Sequence, residues 1–396
     1  MRRWKVGSVA ACLAMMLALT ACGSNSESES GGSEAKKSSE PITIGLLVGM
    51  TGGASTVGVP FSRGAEMAAE ELNAAGGVDG RKVELEVADN KTQPVAGVQA
   101  ALKLAGSNDL DTLICSCFST IFFPLTKALA KYDLVLTNDA ASSPEVRSLP
   151  GTIITTIPTD DVLGAELARF AYGLGYKEAA LVSPNDPYGV TYRAAVKKAY
   201  QEAGGKLTLD LVVDNGLPNY RPEMQRVKDT GSEAVMAGTY SDDARLQFKQ
   251  LLETGWNGVA FKLYPSVTRF NEDKGTEGHL LGLESDWLVG AETKKWRDAY
   301  KAKYNEDPVI WAAVGYDAVM LNARGVAGAT SKKSEDIRAA MVKAAEDYSG
   351  PTGQLKFDED FVRVDMPLAY YAVKDGKYVR VDEHAKPLDD ADGGGA

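Results

Sequence analysis

The chain has 396 residues, of which 43 are Lys or Arg and 54 are Asp or Glu, and its formal net charge at pH 7 is −11. An acidic chain without a basic block excludes nucleic acid as a partner. About 350 residues follow the N-terminal segment, too many for one compact core and sufficient for two lobes.

The N-terminus has the features of an export signal. Three basic side chains within residues 2–5 precede an apolar run, Val6–Ala21, that is shorter than the roughly 20 residues of a membrane-spanning helix. The run ends in Leu19-Thr20-Ala21-Cys22, which resembles the lipobox of bacterial lipoproteins. This resemblance implies that residues 1–21 are removed as a signal peptide and that Cys22 is lipidated with two or more acyl chains. The alternative is an ordinary signal peptide beside an incidental cysteine.

Two further segments have compositions that do not support a core. Residues 22–40 are rich in Ser, Glu, Gly and Lys, so we predict a flexible tether. Residues 385–396 are acidic and Gly-rich, and we predict a disordered tail. No later apolar run approaches spanning length, so the predicted location is outside the cytoplasm, on the cell membrane through the lipid anchor alone.

Two cysteines, Cys115 and Cys117, remain after the signal and the lipid site. On a strand this spacing places both side chains on one face, but the loop is so short that a disulfide would be strained. Metal binding needs further Cys or His ligands, and the chain has only His279 and His384. We therefore predict buried, reduced cysteines, no metal site and no cofactor.

From residue 41 onward, strand-like and helix-like segments alternate, which is typical of parallel α/β layers. The predicted strands are Ile42–Val48, Val83–Ala88, Leu113–Cys115, Leu134–Thr137, Ala179–Ser183, Leu207–Val213, Ala234–Ala237 and Val259–Leu263, with two more near Gln354–Phe357 and Leu368–Val373. The predicted helices are Phe61–Ala75, Val95–Ala105, Phe122–Lys131, Asp160–Ala171 with Asp160 as N-cap, Tyr188–Ala203, Pro222–Asp229, Asp242–Thr254, Glu292–Tyr304, Ala312–Ala327 and Ser334–Ala345.

Several motifs in fixed order resemble the type I periplasmic binding proteins of the leucine/isoleucine/valine-binding family. They are Gly64–Arg81, Asp89 with Pro94, Ser119, Ala140–Glu145, Asp186-Pro187-Tyr188-Gly189 and Gly315-Tyr316-Asp317-Ala318. The resemblance covers nearly all of Ile42–Val381.

The fold implied is two doubly wound, Rossmann-like α/β lobes joined by a hinge of several crossovers. We assign 41–158 plus about 288–362 to lobe 1, and 159–287 plus about 363–384 to lobe 2. The function implied is that of an extracellular substrate-binding lipoprotein of an ABC importer, which captures a small carboxylate-bearing solute by hinge closure. Its partners would be the membrane permease and ATPase, and we predict a monomer.

Physical reasoning places the ligand between the lobes. Ligands of open α/β sheets bind beyond the carboxyl ends of the strands. Four polar or aromatic segments follow predicted strands, two in each lobe: Ser116–Thr120, Asn138–Ser143, Pro184–Tyr188 and Thr239–Asp242. Free amides where a helix begins favour an anionic group such as a carboxylate.

The family resemblance implies roles for individual residues in that cleft. Ser119 and Ser142 would bind the ligand carboxylate through their hydroxyls, and Ala140 through its backbone. Tyr188 and Tyr240 would cover the ligand from lobe 2. Thr56, in the loop Ser55–Gly58, would flank the side-chain pocket.

The sequence departs from the family at one position. Members that bind amino acids have an acid after the strand at Val259–Leu263, where this chain has Tyr264-Pro265-Ser266-Val267. Either Asp139 or Asp242 replaces that acid, or the ligand has no α-ammonium group. Nearby aromatic residues keep an aromatic or other organic acid open as the ligand: Phe118, Phe122, Phe123 and Tyr264.

Alternative interpretations remain for the residues and for the whole chain. Ser119 and Ser142 also suit helix N-caps, the two tyrosines suit an apolar wall, and Asp317 suits a structural role. A secreted hydrolase has little support, because the sequence contains no G-x-S-x-G, H-E-x-x-H or P-loop motif. A ligand-sensing subunit of a membrane receptor is a third possibility that the sequence leaves open.

We expect a Cys22→Ala variant to move from the membrane to the soluble fraction, because it lacks the thiol that would carry the lipid. Cell fractionation with immunoblotting measures this. Cys12→Ala is the matched control and should stay at the membrane, since Cys12 leaves with the signal peptide. A Cys22→Ala protein that still sediments with membranes would disprove the lipoprotein assignment.

Overall fold

The structure is a computed structural model that describes residues 40–106, 110–286 and 291–388. The predicted signal peptide 1–21, the lipidation site Cys22 and the tether up to residue 39 lie outside the described residues, as does the tail from residue 389. None of the helices within the described ranges is both long and apolar enough to cross a membrane.

The first part of the chain alternates strands with helices. Its elements are β1 (Ile42–Val48), α1 (Ser55–Ala74), β2 (Val83–Asp89), α2 (Pro94–Ala105), β3 (Thr112–Ser116), α3 (Ser119–Leu129), β4 (Val135–Asn138) and β5 (Ile153–Thr155). The five strands form a parallel sheet in the order β2-β1-β3-β4-β5. β1 is buried along its whole length, which explains its nearly continuous apolar sequence.

The second part builds another sheet. Its elements are α4 (Asp160–Gly173), β6 (Glu178–Pro184), α5 (Pro187–Glu202), β7 (Lys206–Val213), α6 (Arg221–Asp229), β8 (Ala234–Ala237), α7 (Ser241–Glu253), β9 (Val259–Leu263), α8 (Pro265–Thr268) and β10 (Leu280–Ser285). The strands from β6 to β10 run parallel to one another.

The last part of the chain contributes to both layers. Its elements are α9 (Ala291–Tyr304), α10 (Ile310–Gly328), α11 (Ser334–Glu346), β11 (Ser349–Gly350), β12 (Gly353–Gln354), β13 (Leu368–Lys374) and β14 (Lys377–Val381). The helices α9 to α11 share one apolar core with β1 and α1 and complete lobe 1. β13 and β14 add antiparallel strands to the second sheet, whose order is β14-β13-β10-β9-β8-β6-β7, and complete lobe 2.

Arg363 anchors one of the segments that connect the lobes. Its backbone amide donates to the Thr155 carbonyl at 2.9 Å, beside the end of β5. Its buried guanidinium donates to the Thr352 and Gln354 carbonyls at 2.7 and 2.8 Å. Asp317 accepts hydrogen bonds from Tyr348 and Thr352 in the same region, so it has the structural contacts expected of it.

The two-lobed α/β fold predicted from the sequence is confirmed, but some element bounds differ. α1 and α3 begin earlier than predicted, at Ser55 and Ser119, even though Pro60 and Pro124 lie inside them. β10 was not predicted, and Asp160 is the first residue of α4 rather than its N-cap, which is Thr159. Contacts with distant segments outweigh local helix propensity at the beginnings of α1 and α3.

Residues 385–388, which we predicted to belong to a disordered tail, take part in backbone hydrogen bonding. Val381 forms a β-bridge with Pro387, and the Leu388 amide donates to the Arg380 carbonyl at 3.1 Å. Residues 385–388 are therefore ordered, because backbone pairing with β14 holds them.

The prediction that Cys115 and Cys117 are reduced is wrong, since the structure joins them in a disulfide. An extended strand would separate residues i and i+2 by about 6.6 Å. β3 ends at Ser116, so Cys117 lies outside the strand, and the two Cα atoms are 5.2 Å apart, inside the range that a disulfide accepts.

Two glycines allow α1 and α10 to pack backbone against backbone in lobe 1. A Cβ atom on Gly64 would overlap the Ala312 carbonyl, and one on Gly315 would overlap the Phe61 carbonyl. Both glycines belong to motifs that carried the family resemblance, and this close approach is the physical reason for glycine there.

We expect Gly315→Ala to lower the free energy of unfolding by about 1–3 kcal/mol, because the helices must separate to admit the methyl group. Gly173→Ala is the matched control at the end of α4, where a Cβ meets no atom within 4 Å. It should leave stability unchanged or raise it by up to about 1 kcal/mol. Urea unfolding compares the two, and equal midpoints would contradict this account of the packing.

Candidate ligand-binding site

A cavity lies between the lobes, where strands of both sheets end. Together with its opening to solvent it encloses about 560 Å³ of space. Its walls are Val57, Phe118, Ser119, Ala140, Ser142, Ile157, Tyr188, Thr239, Tyr240, Lys262, Leu263, Tyr264, Val267, Thr268 and Trp311. The four segments predicted to form the cleft each follow a strand, β3, β4, β6 or β8.

Ser119 begins α3, directly after β3, on the lobe 1 side of the cavity. The N-cap of this helix is Phe118, which has extended backbone angles, so Ser119 does not cap it. The Ser119 hydroxyl is buried and has no hydrogen-bond partner in the described part of the chain. A buried hydroxyl without a partner at a helix N-terminus is suited to an anionic ligand atom.

Ala140 and Ser142 follow β4 on the same side. The adjacent Ser143 caps the short 3₁₀ turn Pro144–Ser148 by accepting from the Glu145 amide at 3.4 Å. Ser142 is therefore not the cap, and it lines the cavity. Its carbonyl accepts from the Asp160 amide at 2.7 Å, which ties this wall to the first residue of α4.

Tyr188 and Tyr240 form the lobe 2 wall. Asp186 caps α5 by accepting from the Gly189 amide at 2.8 Å, and this places Tyr188 in the first turn. Tyr240 stacks on Phe118 of lobe 1 with ring centroids 4.5 Å apart and an interplanar angle of 14°. Burial raises the pKa of both tyrosines well above the usual value, so their hydroxyls remain protonated donors.

Three of the candidate residues do not line the cavity. Val57 rather than Thr56 reaches it from α1, and Ala140 rather than Asp139 reaches it after β4. Ser266 is buried behind Tyr264 and Val267, and its amide donates to Glu284 Oε2 at 3.2 Å. Phe122 and Phe123 also lie outside the walls, in the core behind α3.

The two acids considered as replacements for the family's acidic residue differ in environment. Asp242 is exposed at the start of α7 and away from the cavity walls. Asp139 is fully buried, and burial raises its pKa to about 8, although a hydrogen bond from Thr156 acts in the opposite direction. Asp139 is therefore mostly neutral at pH 7 and offers no permanent negative charge.

Sequence reasoning missed three residues near the ligand space. Trp311 packs beside Tyr264 with ring centroids 5.4 Å apart, and nothing local in the sequence marks it. Lys262 is a charged residue inside an apolar strand, which is a signal that was available. Asp160 is buried, and its Oδ1 atom has no hydrogen-bond partner in the described ranges. Burial raises the pKa of Asp160 to about 7, while the Ser142 and Thr191 hydroxyls act in the opposite direction.

No group of three His, Cys, Asp or Glu side chains within residues 40–106, 110–286 and 291–388 is arranged to hold a metal ion. His279 contacts the Gly258 carbonyl at 2.8 Å, and His384 is exposed on the surface. Neither histidine lines the cavity. The cavity walls thus offer hydroxyl and ammonium donors and aromatic faces for binding.

Two α/β lobes with a ligand cavity between them define a solute-binding protein. The chain belongs to the periplasmic binding protein family, whose family model matches residues 41–377. It is 27% identical over 327 residues to the leucine-, isoleucine-, valine-, threonine- and alanine-binding protein of Pseudomonas aeruginosa, covering 81% of this chain and 86% of that protein.

Solved structures share the fold. The isoleucine complex of a branched-chain amino acid transporter substrate-binding protein from Streptococcus pneumoniae has a TM-score of 0.78 and 23% identity, covering 85% of this chain and 97% of that one. The benzoate complex of an ABC transporter solute-binding protein from R. palustris has a TM-score of 0.78 and 19% identity, covering 89% and 98%. The predicted family membership is therefore confirmed.

We expect Ser119→Ala to weaken binding of a carboxylate solute by roughly ten- to a hundredfold, because a charge-assisted hydrogen bond contributes about 1.5–3 kcal/mol. Calorimetry with the acid that stabilises the protein most in a thermal-shift screen measures this. Ser143→Ala is the control: it should cost about 1 kcal/mol of stability and leave affinity within about threefold. Unchanged affinity in Ser119→Ala would exclude the carboxylate role.

Proposed function

We propose that this chain is the extracellular substrate-binding lipoprotein of an ABC importer and that it captures a small carboxylate-bearing solute. The observation that carries the proposal is the Ser119 hydroxyl at the N-terminus of α3, which is buried in the wall of the cavity between the lobes and has no hydrogen-bond partner among the described residues. Buried polar atoms in folded proteins are almost always hydrogen-bonded, so a ligand atom is the natural partner.

Further groups around the cavity support an anionic ligand group. The first turn of α3 directs the positive end of the helix dipole toward Ser119. The Tyr240 and Tyr264 hydroxyls are buried without partners in the described ranges, and they remain protonated. Hydrogen-bond donors therefore face the ligand space from both lobes.

Hinge closure is the proposed mechanism of capture. Each lobe has an apolar cluster of its own, a third cluster includes residues of both lobes, and the stack of Phe118 on Tyr240 crosses the cleft between them. Opening would separate these rings and expose the cavity, while a bound solute would add contacts to both lobes and favour closure. The permease and ATPase would then receive the solute from a monomeric, lipid-anchored protein.

The solute favoured by the site is an organic or aromatic acid without an α-ammonium group. A buried ammonium without a counter-charge costs several kcal/mol. Pro265 and Ser266 replace the expected acid, Asp242 is exposed, and Asp139 is mostly neutral. The benzoate complex of the R. palustris protein is an instance of this ligand class in the same fold.

A second candidate ligand is an α-amino acid, and Asp160 is the observation that favours it. This carboxylate is buried next to Ser142 and has a free Oδ1 atom in the described ranges, so it could pair with an ammonium group. An ammonium there would favour the ionised carboxylate. The P. aeruginosa relative is named for binding leucine, isoleucine, valine, threonine and alanine.

Titrations with leucine, phenylalanine and their deaminated analogues, 4-methylpentanoate and 3-phenylpropanoate, separate the two ligands. We expect the deaminated acids to bind at least as tightly as the amino acids, and Asp160→Asn to change their affinity by less than about threefold. Asp242→Asn is the matched control on the surface. Tight leucine or phenylalanine binding that Asp160→Asn or Asp139→Asn abolishes would overturn the preference for an acid without an ammonium group.

The alternative of a receptor-sensing subunit uses the same cleft and differs only in the membrane partner. Co-purification of the lipid-anchored protein from membranes distinguishes them: a permease with its ATPase is expected, and a signalling receptor would contradict the importer assignment. The relatives compared above are named as binding proteins, and this supports a role without catalysis.

A further inference from the structure

Lys262 is a buried cation at the lobe 2 wall of the cavity. It lies on β9 between Phe261 and Leu263, and only 5% of its surface is exposed. Its side chain shares a face of the sheet with Ala260, and both residues border a smaller apolar cavity under α6 and α7. Lys262 also lines the main cavity, and its ammonium group bonds to Leu263, another residue of that wall.

The ammonium group has one neutral partner. Lys262 Nζ donates to the Leu263 carbonyl at 3.0 Å, at the carboxyl end of the strand. No carboxylate lies within 4.0 Å of Nζ anywhere in the described part of the chain. Burial lowers the pKa of Lys262 to about 8, and the group is still mostly protonated at pH 7. An ammonium has three donors, so two remain for a ligand.

Neighbouring groups add a further donor. The Thr239 hydroxyl, another part of the cavity wall, donates to Gln247 Oε1 at 2.8 Å. Gln247 also borders the smaller cavity beside Lys262, and its Nε2 atom is buried without a partner in the described residues. Lys262 is therefore a cation at the lobe 2 wall of the ligand space, and an amide donor borders the smaller cavity beside it.

The fold alone does not account for this lysine. Burying a cation without a counter-charge is unfavourable, and an apolar side chain of similar length would fit the surroundings of β9 at lower cost. Residues that lower stability in this way are typical of functional sites. A wall lysine that is mostly protonated at pH 7 also disfavours an ammonium at this end of the ligand.

We propose that Lys262 is a specificity-determining residue that binds a second carboxylate of the solute. The ligand would then be a small dicarboxylate, held at one end by Ser119 and Ser142 in lobe 1 and at the other by Lys262 in lobe 2. An aromatic spacer fits the walls between these ends, which carry Phe118, Tyr188, Tyr240, Tyr264 and Trp311. This inference rests on the proposed function, because it specifies the solute that the same cleft takes.

The test compares acids that differ in the second carboxylate. We would titrate the full chain in detergent with benzoate, benzene-1,4-dicarboxylate and hexanedioate, using wild type and Lys262→Met. In wild type, benzene-1,4-dicarboxylate should bind at least about tenfold tighter than benzoate. In Lys262→Met its affinity should fall by roughly ten- to a hundredfold, while benzoate affinity changes by less than about threefold.

The thermal stability of the ligand-free variants gives a second test that is independent of the binding titrations. Lys262→Met should raise the melting temperature of the ligand-free protein by a few degrees, because it removes a buried cation that has no carboxylate partner among the described residues. A lysine needed for the fold would lower it. Lys228→Met is the matched control, since Lys228 Nζ also donates to a backbone carbonyl, that of Gly255 at 2.9 Å, but on the surface of lobe 2. It should change neither the acid affinities nor the melting temperature.

The inference is overturned if benzene-1,4-dicarboxylate binds no tighter than benzoate in wild type, or if Lys262→Met weakens both equally. Hexanedioate binding as tightly as the aromatic diacid would overturn the aromatic spacer and support the second carboxylate. If Lys262→Met fails to fold, Lys262→Gln replaces it, and the wild-type comparison still decides.

Tight binding of amino acids or monocarboxylates alone would reject this inference and leave the proposed function standing. Binding of no acid or amino acid would reject both.

Discussion

The parallel strands of both sheets end at one cavity, and this shared strand direction determines where the polar and aromatic residues of the candidate site lie. At the carboxyl end of a parallel strand the ladder of backbone hydrogen bonds stops, and the following loop must satisfy the remaining groups. In lobe 1 those loops lead to Ser119 and Ser142, and in lobe 2 to Tyr188 and Tyr240. Most cavity walls are therefore residues within a few positions of a strand end.

Burial determines which of the titratable side chains in and near the cavity carry a charge. Exclusion of water raises the pKa of the Asp139 and Asp160 carboxyls and of the tyrosine hydroxyls, and it lowers the pKa of Lys262. Every shift favours the neutral form, because a low-dielectric site penalises charge of either sign. A ligand that brings an opposite charge offsets that penalty, so the cleft selects ligands by where their charges lie.

The cavity is surrounded by two packed lobes, and short chain segments connect them. In lobe 1, Gly64 and Gly315 let α1 and α10 approach at backbone distance, so these helices form one unit. Lobe 2 has its own cores beneath α4 and α7. Between the lobes, the chain passes in short segments such as the one anchored by Arg363.

The sequence by itself determined the α/β class, the two lobes and the strand ends that border the cleft, because alternating apolar segments follow local periodicity. Together with the family resemblance, it also indicated Ser119, Ala140, Ser142, Tyr188 and Tyr240, which the structure places in the walls of one cavity. Only the tertiary structure decided that Thr56, Asp139 and Ser266 lie outside the walls, that Cys115 and Cys117 are bonded, and that Trp311 and Lys262 face the ligand space. Those outcomes depend on how distant segments pack and on how much water they exclude, and no local pattern encodes either.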